Sequence, residues 1–412
     1  MIQAKRELQA YYGLPQDVRF CARCVISNQR PNSAVEFKHT INSVKSTMSL
    51  DENGVCDACR MAEHKEKIDW AMREKELVEL LNKYRKGDGS YDCLVPGSGG
   101  KDSAYQAHVL KYKYGMNPLT VTWPPILYTD YGYANWKKWI DSGFDNISFT
   151  RNGKAMKLLT KLSIENLFHP FQTFILGQKN LAPKIAAKFD IPLIFYGENE
   201  AEYGNPIADN TTSLRDKAFF SFSNLNDIYL AGLPVSELLN KYDLKLQDIM
   251  AFLPARQEEI EKSKLEIHYL GYYLKWTPQE VYYYAVENTG FKARPFRTQG
   301  TYSKYNSIDD KIDDLHYYTT YIKFGIGRAT YDASQEIRNK HITREEGMKL
   351  VQRFDGEFPD RYFDEIMNYL EIDGGYFKGP LTNKFRSPHL WRQDQAGAWK
   401  LRHTVNNDGL DD

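Results

Sequence analysis

The sequence predicts an α/β protein built on a doubly wound parallel sheet, with a cysteine-ligated module in front and a helical, aromatic-rich extension behind. Three observations carry that prediction. Short apolar runs alternate with helical patterns between about residue 90 and residue 235, the rhythm of βαβ units. The first run, residues 91–95, passes through Pro96 into Gly97-Ser98-Gly99-Gly100-Lys101-Asp102-Ser103 and then a helical pattern. Four of the five cysteines fall in two Cys-x-x-Cys pairs near the N-terminus.

The cysteine module comes first. Cys21-Ala22-Arg23-Cys24 and Cys56-Asp57-Ala58-Cys59 are separated by 31 residues. Four thiolates from two such turns close a tetrahedral Zn²⁺ shell and leave no open position. The spacing predicts a zinc ribbon with an inserted hairpin, and Asn53-Gly54 supplies a tight turn before the second pair. A redox role for one pair is the alternative, but two pairs in one small segment favour structural zinc. Large apolar residues are few here, so the metal would supply much of the folding free energy. Residues 57–84 then read as one long charged helix, with Leu77, Leu81 and Tyr84 near one face. The first unit therefore covers residues 1–89.

The second unit covers 90–235. Strands are expected at 91–95, 119–123, 147–149 and 193–196, with helices between them. In a parallel sheet, ligands gather beyond the carboxyl ends of the strands. After the first strand, Ser98, Gly99, Gly100, Lys101, Asp102 and Ser103 make an anion cradle. Backbone N–H groups and the helix dipole converge there, the glycines allow close approach, and Lys101 adds a full charge. The nucleotide P-loop pattern G-x-x-x-x-G-K-[ST] does not fit, because it needs Gly at Val95 and Ser or Thr at Asp102. After the fourth strand come Gly197, Glu198 and Asn199, then Glu200 and Glu202. Carboxylates opposite a phosphate loop suit Mg²⁺. Glu198 and Asn199 are the expected magnesium contacts, whereas Glu200 and Glu202 read as solvated loop acids.

The third unit, 236–412, is helical and aromatic. Thr277 to Glu280 forms a capping-box pattern with Pro at the first helical position, and Gly290 ends that helix. Arg294, Arg297, Lys304, Asp309, Asp310, Asp313 and Asp314 are its charged core. Asp310 shares a helical face with Asp313 and Asp314, so a cation, a substrate or an arginine such as Arg328 should intervene. Thr343 to Glu346 is a second capping box. The tail after about residue 372 would cover a pocket or fray.

Charges balance at 54 basic against 54 acidic residues, which argues against a general nucleic-acid binder. The N-terminal MIQAKRELQAYYG has no apolar signal core, and no run is long enough to span a bilayer. The expected location is the cytoplasm.

The run Ser98-Gly99-Gly100-Lys101-Asp102-Ser103 resembles the SGGxDS signature of the PP-loop ATP pyrophosphatases, adenine nucleotide alpha hydrolase-like proteins that split ATP into AMP and pyrophosphate. With the paired Cys-x-x-Cys knuckles, VPGSGGKDS, GENEAEYGN and TYSKYNSIDDKIDDLHYYTTYIKFGIGR, the chain resembles the N-acetyl sugar amidotransferases of bacterial surface-polysaccharide and flagellin-glycan pathways. The likeness runs over about residues 15–355. It implies ATP, Mg²⁺ and Zn²⁺ as cofactors, and conversion of an acetamido group into an acetamidino group. The acceptor would be an N-acetyl sugar, nucleotide-activated or a nonulosonic acid, of the kind used in lipopolysaccharide O-antigen. Its carbonyl oxygen attacks the α-phosphate, pyrophosphate leaves into the 98–103 cradle, and ammonia displaces AMP.

On this resemblance Lys101, Asp102 and Lys304 are the catalytic candidates, Lys304 as stabiliser of the pentavalent phosphate. By position rather than resemblance, Thr122, at the second strand's end where backbone groups could read an adenine edge, and Gly197 join 98–103 as ATP contacts. Gln172, Gln178, Arg294 and Arg297 are candidate substrate contacts; His169, Asn180 and Lys184, beside the glutamines, are either helix surface or pocket. Ammonia would come from a separate glutaminase subunit, because no nucleophile elbow is present and the one cysteine outside the zinc set, Cys93, lies in an apolar strand. The zinc ribbon, read as rigid and peripheral, is the expected docking face. Two other classes compete. A tRNA-thiolating enzyme would also join zinc to a PP-loop but needs catalytic cysteines in the nucleotide domain. A non-catalytic zinc adaptor would not need Lys101 or a complete phosphate loop.

Overall fold

The computed structural model describes residues 8–198 and 212–406. Asn199, Glu200, Glu202 and the acidic end at Asp408, Asp411 and Asp412 lie outside the described residues. A five-stranded parallel sheet forms the centre, in the spatial order Asn146–Ser148, Pro118–Thr122, Cys93–Pro96, Leu193–Tyr196, Glu266–Tyr269. Strand alternation explains its two cores. Leu94, Leu119, Val121, Ile194 and Ile267 point to one face, where helices Gly153–Leu167 and Gln172–Lys188 cover them. Cys93, Val95, Leu193 and Phe195 point to the other, against helices Lys101–His108 and Pro278–Thr289. Burial on both faces is why the strands read as continuous apolar runs.

Two boundaries differ from expectation. The sheet does not stop at residue 235: Glu266–Tyr269 adds a fifth strand beside Leu193–Tyr196. The expected helix over 57–84 is two helices, Asp57–Lys65 and Trp70–Tyr84. The break falls where the Asp69 side chain leaves the helix and accepts a bond from the Met72 N–H at 3.0 Å, an N-cap competing with continuation.

Among the described residues, the segment after about residue 372 is packed rather than frayed. Phe377, Leu381, Phe385 and Trp391 are buried with Ile312, Leu315 and Phe168 in a third core. The capping box at Thr343 forms in full, whereas Thr277 makes no side-chain cap bond and leaves helix entry to Pro278. The cysteine module is held by isolated bridges, Phe20 to Ser27 and Leu50 to Cys56, rather than long strands. It is not peripheral. Ile326 packs into its core, and Arg344 donates to the carbonyls of Cys24 (3.3 Å) and Cys21 (3.4 Å). Among the described residues no helix is long and apolar enough to cross a membrane.

Candidate active site

The 98–103 loop sits between the first and fourth strands, where the strand order reverses and a crevice opens at the carboxyl ends. The Gly97 N–H donates to the Val121 carbonyl at 2.9 Å, pinning the loop to the sheet. Gly99 has φ +84°, and a Cβ there would come within 2.5 Å of the Trp136 backbone, so the loop folds down onto helix Asp130–Asp141 only without a side chain. Gly100 then caps helix Lys101–His108, whose N–H groups open toward the crevice. Lys101 is buried, and its ammonium donates to both carboxylate oxygens of Asp102 at 2.7 and 2.8 Å.

Two cavities flank this loop, of about 360 and 440 Å³. Ser98, Gly100, Asp102 and Glu198 line both, so the loop is the wall they share. The smaller lies over the strand ends, against Val121, Trp123, Tyr196, Gly197 and Leu181. Trp123 is fixed by a stack on Phe149, with planes 5° apart, and by Gly177, where any Cβ would strike the indole. Gly197 likewise leaves room for the Trp276 ring, 2.8 Å from a Cβ at that position. An apolar slot beside converging N–H groups fits a ligand with a flat apolar part and an anionic part. Gln178 lines this cavity; Thr122 does not. The Thr122 hydroxyl oxygen is buried, accepting from Trp136 Nε1 (3.2 Å) and Asn146 Nδ2 (3.0 Å), and so braces the strand end.

The larger cavity is assembled from distant parts of the chain. Asp309, Asp313, His316 and Arg328 meet Arg30 and Met48 of the cysteine module. Arg328 Nε pairs with Asp332 at 2.9 Å and its Nη1 donates to the Tyr317 hydroxyl at 2.7 Å, which fixes the guanidinium against the wall. Asp310 precedes helix Asp313–Phe324 rather than sharing a face with Asp313 and Asp314. Its carboxylate accepts from the N–H groups of Ile126, Leu127 (3.2 Å) and Ile312 (3.0 Å), tying the loop after the second strand to the helix start. Burial pushes Asp310 up to about 7 and Asp314 up to about 6, with Arg294 pulling the latter back. Burial and the neighbouring Asp309 and Asp310 raise Asp313 well above the usual carboxylate range, and its Oδ2 has no partner among the described residues. Of these three, Asp313 alone lines the cavity, and its raised value favours the protonated form, so it can donate there as well as accept.

Several sequence candidates stand elsewhere. Arg297 grips Glu357 with both terminal nitrogens at 2.5 and 2.6 Å, a bidentate pair that leaves its fork no room for substrate. Arg294 is buried, donates to the Ser307 carbonyl at 3.3 Å and lines neither cavity. Gln172 is buried and spends its amide on the Glu36 carbonyl (3.0 Å) and the Ala231 N–H (2.9 Å). Asn180 and Lys184 donate to the Phe252 and Met250 carbonyls. Lys304 is exposed and outside both linings. Cys93 is fully buried, and burial pushes its thiol up, so it holds no nucleophile. His316 and Arg30 were not singled out from the sequence. The first lay within the run TYSKYNSIDDKIDDLHYYTTYIKFGIGR, where the acids drew attention; the second carried no local signal.

The four module cysteines bring their sulfurs within 4.8 Å of one another. Cys21 and Cys59 are 3.8 Å apart and Cys24 and Cys56 3.7 Å. A tetrahedron with metal–sulfur bonds of about 2.3 Å has edges of about 3.8 Å, so the donor set fits Zn²⁺. Hydrogen bonds from Cys24, Cys56 and Cys59 hold the Cys21 thiol below its usual range, favouring thiolate.

Comparison with known proteins gives two findings. Residues 299–406 match the family described as LPS biosynthesis protein WbpG-like, C-terminal domain. That match fits a role in lipopolysaccharide or related glycan biosynthesis. The chain is also similar to uncharacterized protein MJ1599 of Methanocaldococcus jannaschii, 32% identical over 83 residues, which covers 20% of this chain and 29% of that protein's length.

Proposed function

We propose that the chain is an ATP-dependent, AMP-forming amidotransferase of the PP-loop type that turns the acetamido group of an N-acetyl sugar into an acetamidino group. The observation that carries this reading is the shared wall: the anion loop lines both cavities, so one anion held there touches a ligand on either side. ATP lies with its base in the smaller cavity, against Trp123 and Tyr196, and its phosphates on Ser98 to Ser103. The acceptor lies in the larger cavity. Its carbonyl oxygen attacks the α-phosphorus, the bond to pyrophosphate breaks, and Lys101 with the helix N-terminus takes up the leaving charge. Ammonia then adds to the imidate carbon and AMP departs. Glu198, which lines both cavities, would hold magnesium, with Asn199 the second candidate from the sequence, and the ion would shield the phosphate charge.

The glycan context is supported by the matched segment, which carries His316, Asp313 and Arg328 of the acceptor-side wall. A separate glutaminase supplies the ammonia. The test is incubation with ATP, ammonium and a panel of nucleotide-activated N-acetyl sugars, followed by mass spectrometry. Exchange of O for NH lowers the sugar mass by about one unit, with AMP and pyrophosphate formed in equal amounts. ATP cleavage without that product in any acceptor would reject the reading.

A further inference from the structure

A buried series of ionisable side chains leads away from the larger cavity. His316 lines that cavity, and its ring stacks on His169 with centroids 5.0 Å apart and planes 20° apart. The edge of Phe171 fixes it from the side at 5.3 Å. His169 faces His39 at 6.3 Å, and His39 Nδ1 lies 3.6 Å from the Glu36 carboxylate and 3.4 Å from Lys45 Nζ. Just past His39, Ile41 and Val44 stand exposed. Along this line, Nδ1 of His316 and Nδ1 of His169 are buried without a hydrogen-bond partner among the described residues, whereas the Glu36 carboxylate is paired with His39. Each such atom costs stability. Two on stacked rings, the first of them lining a cavity, point to use rather than packing.

We propose that His316 is the base that takes the proton released when ammonia attacks the activated acceptor, with the stacked His169 ring positioning it. This rests on the amidine-forming reading above. The acceptor enters the step as the O-adenylated amide, protonated on nitrogen. The ammonia lone pair forms the C–N bond, the His316 imidazole removes one proton from that nitrogen, and the C–O bond breaks with its electron pair leaving on AMP. The product is the amidinium.

Charge along the series sets the protonation state. Burial, aided by Lys323 and Arg328 and opposed by Glu36, pushes His316 down to about 4. Burial and the adjacent His316 push His169 well below its usual value. Both rings are therefore neutral near pH 7 and free to accept a proton, although a ring held this far below neutrality is a weak base that keeps the proton only in passing. Lys323 is itself pushed down to about 7 by burial, and Asp313 and Tyr317, on the same helix as His316, are raised by burial toward their neutral forms.

The experiment separates the half-reactions in the full chain carrying His316→Asn or His316→Phe; the Phe ring keeps the stack on His169 without a nitrogen. Acceptor-dependent exchange of pyrophosphate into ATP reads the first step, and amidine formation from ammonium reads the second. Exchange should stay near the wild-type rate in both variants while amidine formation falls about 10²-fold or more, and added imidazole should restore part of it in His316→Asn. Equal loss of both steps in both variants, or wild-type amidine formation in His316→Phe, overturns the assignment. Absence of acceptor-dependent exchange in the unaltered chain overturns the underlying reading, and this inference with it.

Discussion

On the sheet side of the 98–103 loop, the cavity wall is made by the ends of neighbouring strands and the helix packed beside them, at Val121, Trp123, Tyr196 and Leu181. On the other side, Arg30 and Met48 of the cysteine module meet Asp313, His316 and Arg328 from the far end of the chain. The first wall follows from periodicity and strand order. The second exists only after three separate cores have docked. A site of the first kind is rigid because the sheet is; a site of the second kind depends on every element that brings its parts together.

That contrast breaks most sharply at the shared wall. Lys101→Ala removes the one full positive charge on the loop while leaving Asp102, a partly exposed side chain, able to be solvated. Acceptor-dependent pyrophosphate exchange should fall about 10²–10³-fold, with the thermal midpoint little changed. A variant that exchanges at the wild-type rate would show that the two cavities do not work through one loop.

The same contrast explains what the sequence made legible. Four of the sheet strands and the loop could be placed to within a residue or two, because each is a local apolar run followed by a breaker. The fifth strand, Glu266–Tyr269, was hidden: it follows a stretch of short elements, and only pairing with Leu193–Tyr196 makes it a strand. Glu198 stands two residues past the Leu193–Tyr196 strand and lines both cavities, a position the strand itself sets. Arg297 and Gln172 misled for the opposite reason. Charge and amide groups suggest ligand contact, but their partners, Glu357 and the Glu36 carbonyl, come from elsewhere in the chain and cannot be seen locally. Arg30 could not be found at all, because the zinc module reads as a separate unit until Ile326 and Arg344 are packed against it.

If the second wall depends on docking, removing the zinc should injure one cavity more than the other. Cys56→Ser takes away one of four converging sulfurs and with it the main stabiliser of a module poor in large apolar residues. Zinc should drop from about one per chain to a small fraction. In whatever folded protein remains, the KM for the acceptor should rise on the order of tenfold while that for ATP moves much less, a difference of about 1.4 kcal/mol carried by the Arg30 and Met48 wall. Equal changes in both constants would mean that the module supports the whole fold rather than this wall.

The smallest effect tests the seam itself. His389 joins the C-terminal segment to the cysteine module, its ring held between the Ser387 hydroxyl (2.5 Å) and Gln29 Oε1 (3.0 Å). Burial, with His403 nearby, pushes it down to about 4 from its ordinary 6.5. Above about pH 6.5 the ring is neutral whether the chain is folded or not, and its contribution is complete. Between 6.5 and 4 the unfolded chain binds a proton that the folded chain refuses, so stability is lost as the pH falls. Burial raises Asp310 to about 7 and Asp355 to about 6, and both work the other way over this range, holding protons in the folded state and lending stability on acidification. The whole-protein curve is the difference of these terms, so a single-residue change is needed to read one of them. His389→Gln keeps a polar bridge but cannot titrate. The fall in thermal midpoint from pH 7 to pH 5 should therefore be smaller than in the parent chain, by an amount bounded at about 1.4 kcal/mol per pH unit, while both half-reactions at pH 7.5 stay unchanged because His389 lines neither cavity. An identical fall in both proteins would place the acid sensitivity in the other histidines that burial depresses, His39, His169, His268 and His316 among them, and would move the weak point away from the seam.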